Sequence, residues 1–158
     1  VQIAGQNIVS SVNAVYQFLG YCPQHDAQWN NLTVKEHLEL YSHIRGVPND
    51  VVEDTVNFYL TGLQIEEHKD KHTKDCSGGT KRKLSYAMAM IGNPKIVLLD
   101  EPSTGMDPQS KRFLWDTILT NFRGSRGAIL TTHSMEEADA LCSRIGIMVK
   151  GELRLVSL

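Results

Sequence analysis

Apolar residues recur along this chain in two rhythms, and the places where the rhythm changes divide it. After Thr33, the residues Val34, Leu38, Tyr41 and Ile44 stand three or four positions apart, the spacing of one helix face. Thr33 and Glu36 form a capping box at the start of that run, and Gly46 and Pro48 end it. A second helix is predicted from about Asp50, with Val52, Val56, Tyr59, Leu60 and Leu63 on one side. The polar stretch Glu66–Lys74 follows, and a third helix then runs from Gly78 or Gly79 to about Ile91, stopped by Gly92 and Pro94.

Elsewhere the apolar runs are short and bounded by turn residues, which predicts strands. Residues 1–4 read as the end of one, and Leu19–Cys22, Ile96–Leu99, Ala128–Thr132 and Ile145–Val149 as four more, the last turned back by Lys150-Gly151. Short helices are expected at Ser11–Phe18, after Asp107-Pro108, where Asp caps and Pro fills the first turn, and from Ser134 to about Cys142. Ser134 and Glu137 read as a second capping box. Strands alternating with helices predict an α/β fold on a parallel sheet. The helical block is expected as an insertion, giving three segments at 1–25, 26–92 and 93–158.

Composition narrows the classes. Of 158 residues, 41% are apolar and 22% charged, ordinary for a globular chain. The net charge of −2 gives no electrostatic footprint for a nucleic-acid partner. Lys81-Arg82-Lys83 is the one basic run, and it reads as the solvated first turn of a helix. Cys22, Cys76 and Cys142 are odd in number and widely spaced, which argues against a disulfide framework or a zinc site and for a reducing compartment. The apolar runs are far too short to span a bilayer. The chain opens at Val1 in strand-like sequence and is expected to be a fragment, with any tie to a membrane lying outside it.

The candidate chemistry collects at strand ends and at one glycine turn. Asp100 and Glu101 follow four apolar residues, at the edge of an open α/β sheet where ligands bind. Phosphoryl transfer needs a carboxylate to hold Mg²⁺ and a base to orient water. Asp100 suits the first role and Glu101 the second. Ser77-Gly78-Gly79 opens a helix, where bare backbone N–H groups and the helix dipole favour an anion. His133 ends a strand, and a neutral imidazole there could accept from water or contact a terminal phosphate. Gln24 follows a short strand, and its amide oxygen could reach Mg²⁺ or water. Each also has a plain structural reading: acids at a solvated edge, a flexible turn, a helix-entry histidine, a surface glutamine. No G-x-x-x-x-G-K-[ST] loop for cradling phosphates occurs in the chain.

Order and spacing give these pieces a context. Gln24, Cys76–Thr80, Ile96–Glu101, Ser103–Asp107 and His133 resemble the Q-loop, signature, Walker B, D-loop and H-loop of ABC nucleotide-binding domains, over nearly the whole chain. The phrases Gly20-Tyr21-Cys22-Pro23-Gln24, Leu32–Leu38, Ser77–Ser85, Ser103–Pro108 and Thr132–Ala138 are similar to subfamily A, the lipid-exporter group. Cys76 and Thr80 depart from the Leu and Gln of the broad family.

The resemblance implies a P-loop NTPase fold of the ABC type with a helical subdomain, its amino-terminal part, with Walker A, not present. It implies ATP and Mg²⁺ as cofactors. Asp100 and Gln24 are expected at the metal, with Gln24 also coupling to the transmembrane part. Glu101 is expected to polarise water and His133 to sense the γ-phosphate. Ser77, Gly78 and Gly79 are expected to bind the γ-phosphate held by a second nucleotide-binding domain in a head-to-tail dimer bridged by Asp107. Transmembrane domains of the same transporter and a lipid substrate complete the expected partners, with no nucleic acid. The expected location is the cytoplasmic face of a membrane. Alone, the chain is expected not to hydrolyse ATP. Two alternatives are a soluble ABC ATPase acting on DNA ends or ribosomes, and a non-catalytic fragment that completes a partner's site.

Overall fold

The computed structural model describes residues 2, 3, 5–124 and 126–157. Three parallel strands carry the architecture: β3 (Leu19–Cys22), β4 (Ile96–Asp100) and β5 (Gly127–Thr131), in that spatial order with β4 central. Leu19 pairs with Ile96 and Cys22 with Leu99, while Ile96 pairs with Gly127 and Asp100 with Thr131. On the central strand Val97 and Leu99 share one face and are fully buried, whereas Ile96 and Leu98 on the opposite face are half-buried.

Before the sheet come β1 (Gln2–Ile3) and β2 (Gln6–Asn7), an antiparallel pair, and helix α1 (Val12–Phe18). Val1 and Ala4, the outer positions of the strand expected over 1–4, lie outside the described residues.

Between β3 and β4 the chain is helical: α2 (Val34–Ile44), α3 (Val52–Gly62) and α4 (Gly78–Met90). Helix α2 begins as its sequence demands, with Thr33 Oγ1 accepting from Glu36 N at 3.1 Å and Glu36 Oε2 accepting from Thr33 N at 2.7 Å. Its buried His37 fastens the preceding loop: Nδ1 donates to Thr33 O at 2.7 Å, and Nε2 accepts from Trp29 N at 3.0 Å. Burial lowers the pKa of this imidazole, in keeping with a neutral ring. Val34, Leu38, Val56, Leu60 and Leu84 share one core with Cys22, Val97 and Leu99, so helices and sheet enclose the same apolar interior.

Two guanidinium groups fasten the helices to the two ends of β3. At its start, Arg45 donates from Nη1 to Tyr16 O and Leu19 O, both at 3.1 Å, and from Nε to Ile91 O at 3.2 Å. Just past its end, Arg82 grips Pro23 O at 2.8 Å and Gln24 O at 3.0 Å.

After β4, Asp107 caps α5 (Pro108–Asn121), accepting from Gln109 N and Ser110 N at 3.1 and 3.0 Å. Helix α6 (Met135–Leu141) follows β5. Ser134 caps it by accepting from Glu137 N at 3.3 Å, but the second half of the expected capping box is absent. The Glu137 carboxylate instead turns inward, where its Oε1 accepts from Ser103 Oγ at 2.5 Å and Trp115 Nε1 at 2.9 Å. A buried indole N–H and hydroxyl need an acceptor more than a solvated helix end does.

The last expected strand is present as β6 (Ile145–Val149), and it pairs antiparallel with β7 (Glu152–Ser157) rather than extending the parallel sheet. Lys150 and Gly151, at φ of 51° and 81°, make the turn between them.

Candidate active site at the carboxyl edge of the sheet

All three parallel strands run in one direction, so their carboxyl ends deliver three loops to one edge. Cys22 leads through Pro23 to Gln24, Asp100 leads to Glu101, and Thr131 leads through Thr132 to His133. Residues separated by more than a hundred positions thereby face one another.

Each carboxylate at this edge is held by a residue of β5 or the loop that follows it. Thr131, the register partner of Asp100, donates its hydroxyl to Asp100 Oδ1. His133 Nδ1 lies 3.0 Å from Glu101 Oε2, and Thr104 Oγ1 donates to the same oxygen at 2.9 Å. These bonds hold the Glu101 carboxyl below its ordinary pKa, the His133 contact foremost and Thr104 next, with the Gln24 side chain contributing less. Glu101 is therefore an ionised acceptor over the whole neutral range. His133 is largely open to solvent, whereas the Glu101 side chain is four-fifths covered.

The backbone at Glu101 is unusual. Its φ of 47° lies in the left-handed region that costs a side-chain-bearing residue energy. Bonds on both sides of the residue hold it there: Glu101 N donates to Thr131 O at 3.0 Å, and Glu101 O accepts from Arg82 Nη2 at 2.9 Å.

The glycine turn forms the start of α4 and stands against the loop that follows Glu101. Ser77 caps the helix by accepting from Thr80 N at 3.1 Å, leaving Gly78 exposed. A Cβ added at Gly78 would sit 4.0 Å from Gly105 O, and one at Gly79 would sit 3.7 Å from Ser110 Oγ. The turn thus borders the Ser103–Asp107 loop and the start of α5. Among the described residues no hydrogen bond joins Ser77, Gly78 or Gly79 to Asp100, Glu101 or His133. Asp107 directs its carboxylate at its own helix, and those backbone bonds lower its pKa.

The basic run reads differently in three dimensions. Arg82 is not solvated but 4% exposed. Its neighbour Lys83 lies over the Phe113 ring at 4.5 Å, and burial lowers the lysine's pKa. Helical spacing could have found this, because Arg82 stands four, seven and eight residues before Tyr86, Ala89 and Met90, which share its face of the helix and are all buried. Thr104 and Thr131 were not singled out by the sequence, which also cast Glu137 as a helix cap rather than as a buried acceptor.

The donors available for a cation are hard oxygens, the Asp100 carboxylate and the Gln24 amide. That set suits Mg²⁺, which takes one or two carboxylates and completes its shell with water and phosphate. Among the described residues no cluster of three or more His, Cys, Asp or Glu forms a protein-only metal cage.

Known proteins resemble this chain in sequence and in fold. The sequence profile of the family described as "ABC transporter" matches residues 1–104. Retinal-specific phospholipid-transporting ATPase ABCA4 of Bos taurus is 50% identical over 149 residues, 94% of this chain and 6% of that protein. ATP-binding cassette sub-family A member 7 of Mus musculus is 47% identical over 96% of this chain and 7% of its own length. Phospholipid-transporting ATPase ABCA3 of Rattus norvegicus is 45% identical over 96% of this chain and 9% of its own. The chain thus spans less than a tenth of the length of these relatives. A solved structure titled "Structure of ATP binding subunit of ABC transporter" superposes with a TM-score of 0.86 at 22% identity, over 99% of this chain and 65% of that one. Among the described residues no helix is long and apolar enough to cross a membrane. From the motif order, the α/β fold and the sequence likeness together, the chain belongs to the ABC transporter family, with subfamily A members among its relatives.

Proposed function

We propose that this chain is the catalytic-edge portion of an ATP-hydrolysing domain that powers lipid transport across a membrane. One observation carries the reading: Glu101, at the end of the central strand, is held ionised 3.0 Å from His133 at the end of the neighbouring strand. An anchored carboxylate beside an imidazole, at the ligand-binding edge of a parallel sheet, suits activation of a water molecule for attack on phosphate. The names of the relatives, which include phospholipid-transporting ATPases, support lipid as the transported class.

In this reading Glu101 takes the proton from the attacking water. His133 donates from Nδ1 to Glu101, and its Nε2 would donate to a terminal phosphate when the ring carries both protons. Asp100, steadied by Thr131, and Gln24 would hold Mg²⁺, and Gln24 would also relay its state to the transmembrane part. Held there, Mg²⁺ would supply neutralisation of the charge that builds on the terminal phosphates during transfer.

Ser77, Gly78 and Gly79 offer their N–H groups to the γ-phosphate held by a second nucleotide-binding domain, in a head-to-tail dimer that Asp107 bridges. Their separation from this chain's own carboxylates supports a role in the partner's site. The segments 1–25, 26–92 and 93–158 then act as core, helical subdomain and core, attached to transmembrane domains at the cytoplasmic face.

The test is Mg²⁺-dependent ATP hydrolysis by the full-length protein that contains this chain, reconstituted in phospholipid vesicles. Glu101→Gln is expected to lower turnover on the order of 10²–10⁴-fold while ATP binding survives. Unchanged turnover in that variant would refute the assignment of Glu101.

A further inference from the structure

We propose that Arg82 is a positioning residue for ATP hydrolysis: its buried guanidinium fixes the Gln24 loop and the Asp100–Glu101 turn in one register and ties both to the helix that carries Ser77–Gly79. The inference rests on the hydrolytic reading given above.

The contacts are specific in what they select. Nη1 donates to Pro23 O at 2.8 Å, Gln24 O at 3.0 Å and Asp26 Oδ1 at 3.3 Å. Nη2 donates to Glu101 O at 2.9 Å and Asp100 O at 3.4 Å, and Nε to Pro102 O at 3.1 Å. One side chain thereby binds the main chain of the expected metal residues, Asp100 and Gln24, and of the expected base, Glu101. Asp26 supplies the balancing charge and also accepts from Ser85 Oγ at 3.0 Å. Gln28 extends the same docking, donating from Nε2 to Lys81 O at 2.6 Å and Ser85 Oγ at 2.9 Å.

A guanidinium is required by this geometry. Its planar fork spreads donors over two strand ends at once, whereas a lysine ammonium offers its three donors from a single point and cannot reach both loops. The grip also falls on the strained residue. Glu101 keeps its positive φ because Thr131 O holds its N–H and Arg82 holds its carbonyl, so releasing the carbonyl frees the backbone to relax and swings the carboxylate away from His133. Arg82 lies one helical turn after Gly78, so a shift of the phosphate-facing turn is passed directly to the carboxylates.

The test uses the full-length protein with Arg82→Lys, Gln24→Ala and the pair together, reading kcat, KM and affinity for a non-hydrolysable ATP analogue. Misplacement of a catalytic group by about 1 Å costs on the order of 100-fold, so kcat of Arg82→Lys is expected to fall toward that figure while analogue affinity holds within about threefold. Because Arg82 acts partly through Gln24, the double variant is expected to be little slower than the slower single one. Losses that multiply, or a wild-type kcat in Arg82→Lys, overturn the proposal. Should Arg82→Lys fail to fold, Asp26→Asn loosens the same guanidinium at its one carboxylate without opening a cavity. A wild-type kcat in that variant also overturns it. Glu101→Gln in the same preparation separates the two readings: if turnover survives there, the hydrolytic assignment fails and this proposal falls with it. If turnover is lost there, the Arg82 variants decide alone.

Discussion

His133 Nδ1 and Glu101 Oε2 stand 3.0 Å apart across the gap between two neighbouring parallel strands. The contact joins loops that follow β4 and β5, so it reports whether the sheet edge is assembled. His133→Ala removes the strongest influence on the Glu101 carboxyl. Turnover of the full-length protein is expected to fall by about 10²-fold, within the usual range for a positioned acid–base partner. Phosphate release at saturating ATP measures it, and an undiminished rate would remove His133 from the mechanism.

The depressed pKa of Glu101 has a consequence for pH, with a definite sign. A carboxyl whose folded pKa lies below its unfolded value contributes stability above the unfolded value and loses it as pH falls through the folded one. The ionised form of this proposed base is lost over the same acid window. Thr104→Val deletes one donor to Oε2, so the carboxyl moves back toward its ordinary range and the acid limb of the kcat profile moves to higher pH. An acid limb that does not move would show that Thr104 has no hold on the base.

Glu137 is a buried acceptor for two donors, Ser103 Oγ and Trp115 Nε1. Glu137→Ala leaves both without a partner and is expected to destabilise by about 3 kcal/mol, at the upper end for buried groups left unsatisfied. Glu137→Gln keeps an acceptor oxygen in place and is expected to cost less. Denaturation followed by Trp115 fluorescence in a Trp29→Phe background distinguishes them. Equal midpoints for Ala, Gln and the parent would mean that the triad contributes nothing.

Gly20 is set by close approach rather than by backbone angle. A Cβ built there would lie 2.2 Å from Ala89 O, a main-chain atom of α4 that cannot swing aside. Gly20→Ala is therefore expected to cost about 1–3 kcal/mol through overpacking, where a surface glycine would tolerate the change. A thermal midpoint equal to the parent's would refute so tight a contact between β3 and α4.

The parts of this fold that were legible in the sequence are those encoded locally. Thr33 with Glu36, Ser77, and Asp107 with Pro108 each announced a helix start that the structure has, because a cap and its N–H lie within three residues. The four strands from Leu19 to Val149 fell within a residue or so of their predicted bounds. What stayed hidden was non-local. Glu137 stands at the right spacing for a capping box, yet its carboxylate goes to residues 22 and 34 positions away. Arg82 reads as polar surface because its partners at Pro23, Gln24 and Asp26 lie 56 to 59 positions upstream. A one-dimensional pattern marks where a side chain is polar but not which distant carbonyls await it. The site followed the same division: Gln24, Asp100, Glu101 and His133 were named from strand ends, and Thr131 and Thr104, which steady two of them, were not.

The pairing of Leu19 with Ile96 bears on the order in which the molecule assembles. The strands β3 and β4 are separated in sequence by all of α2, α3 and α4, so their ladder cannot zip from a local turn. Helix contacts are short-range and form quickly, whereas parallel pairing across a long intervening segment waits on loop closure. The helical block is thus the natural nucleus, and β3 finds β4 only after the block has drawn its two ends together. Until then the apolar Ile96–Leu99 segment lacks its neighbour on the β3 side, which makes that interval the one most exposed to misassembly during synthesis.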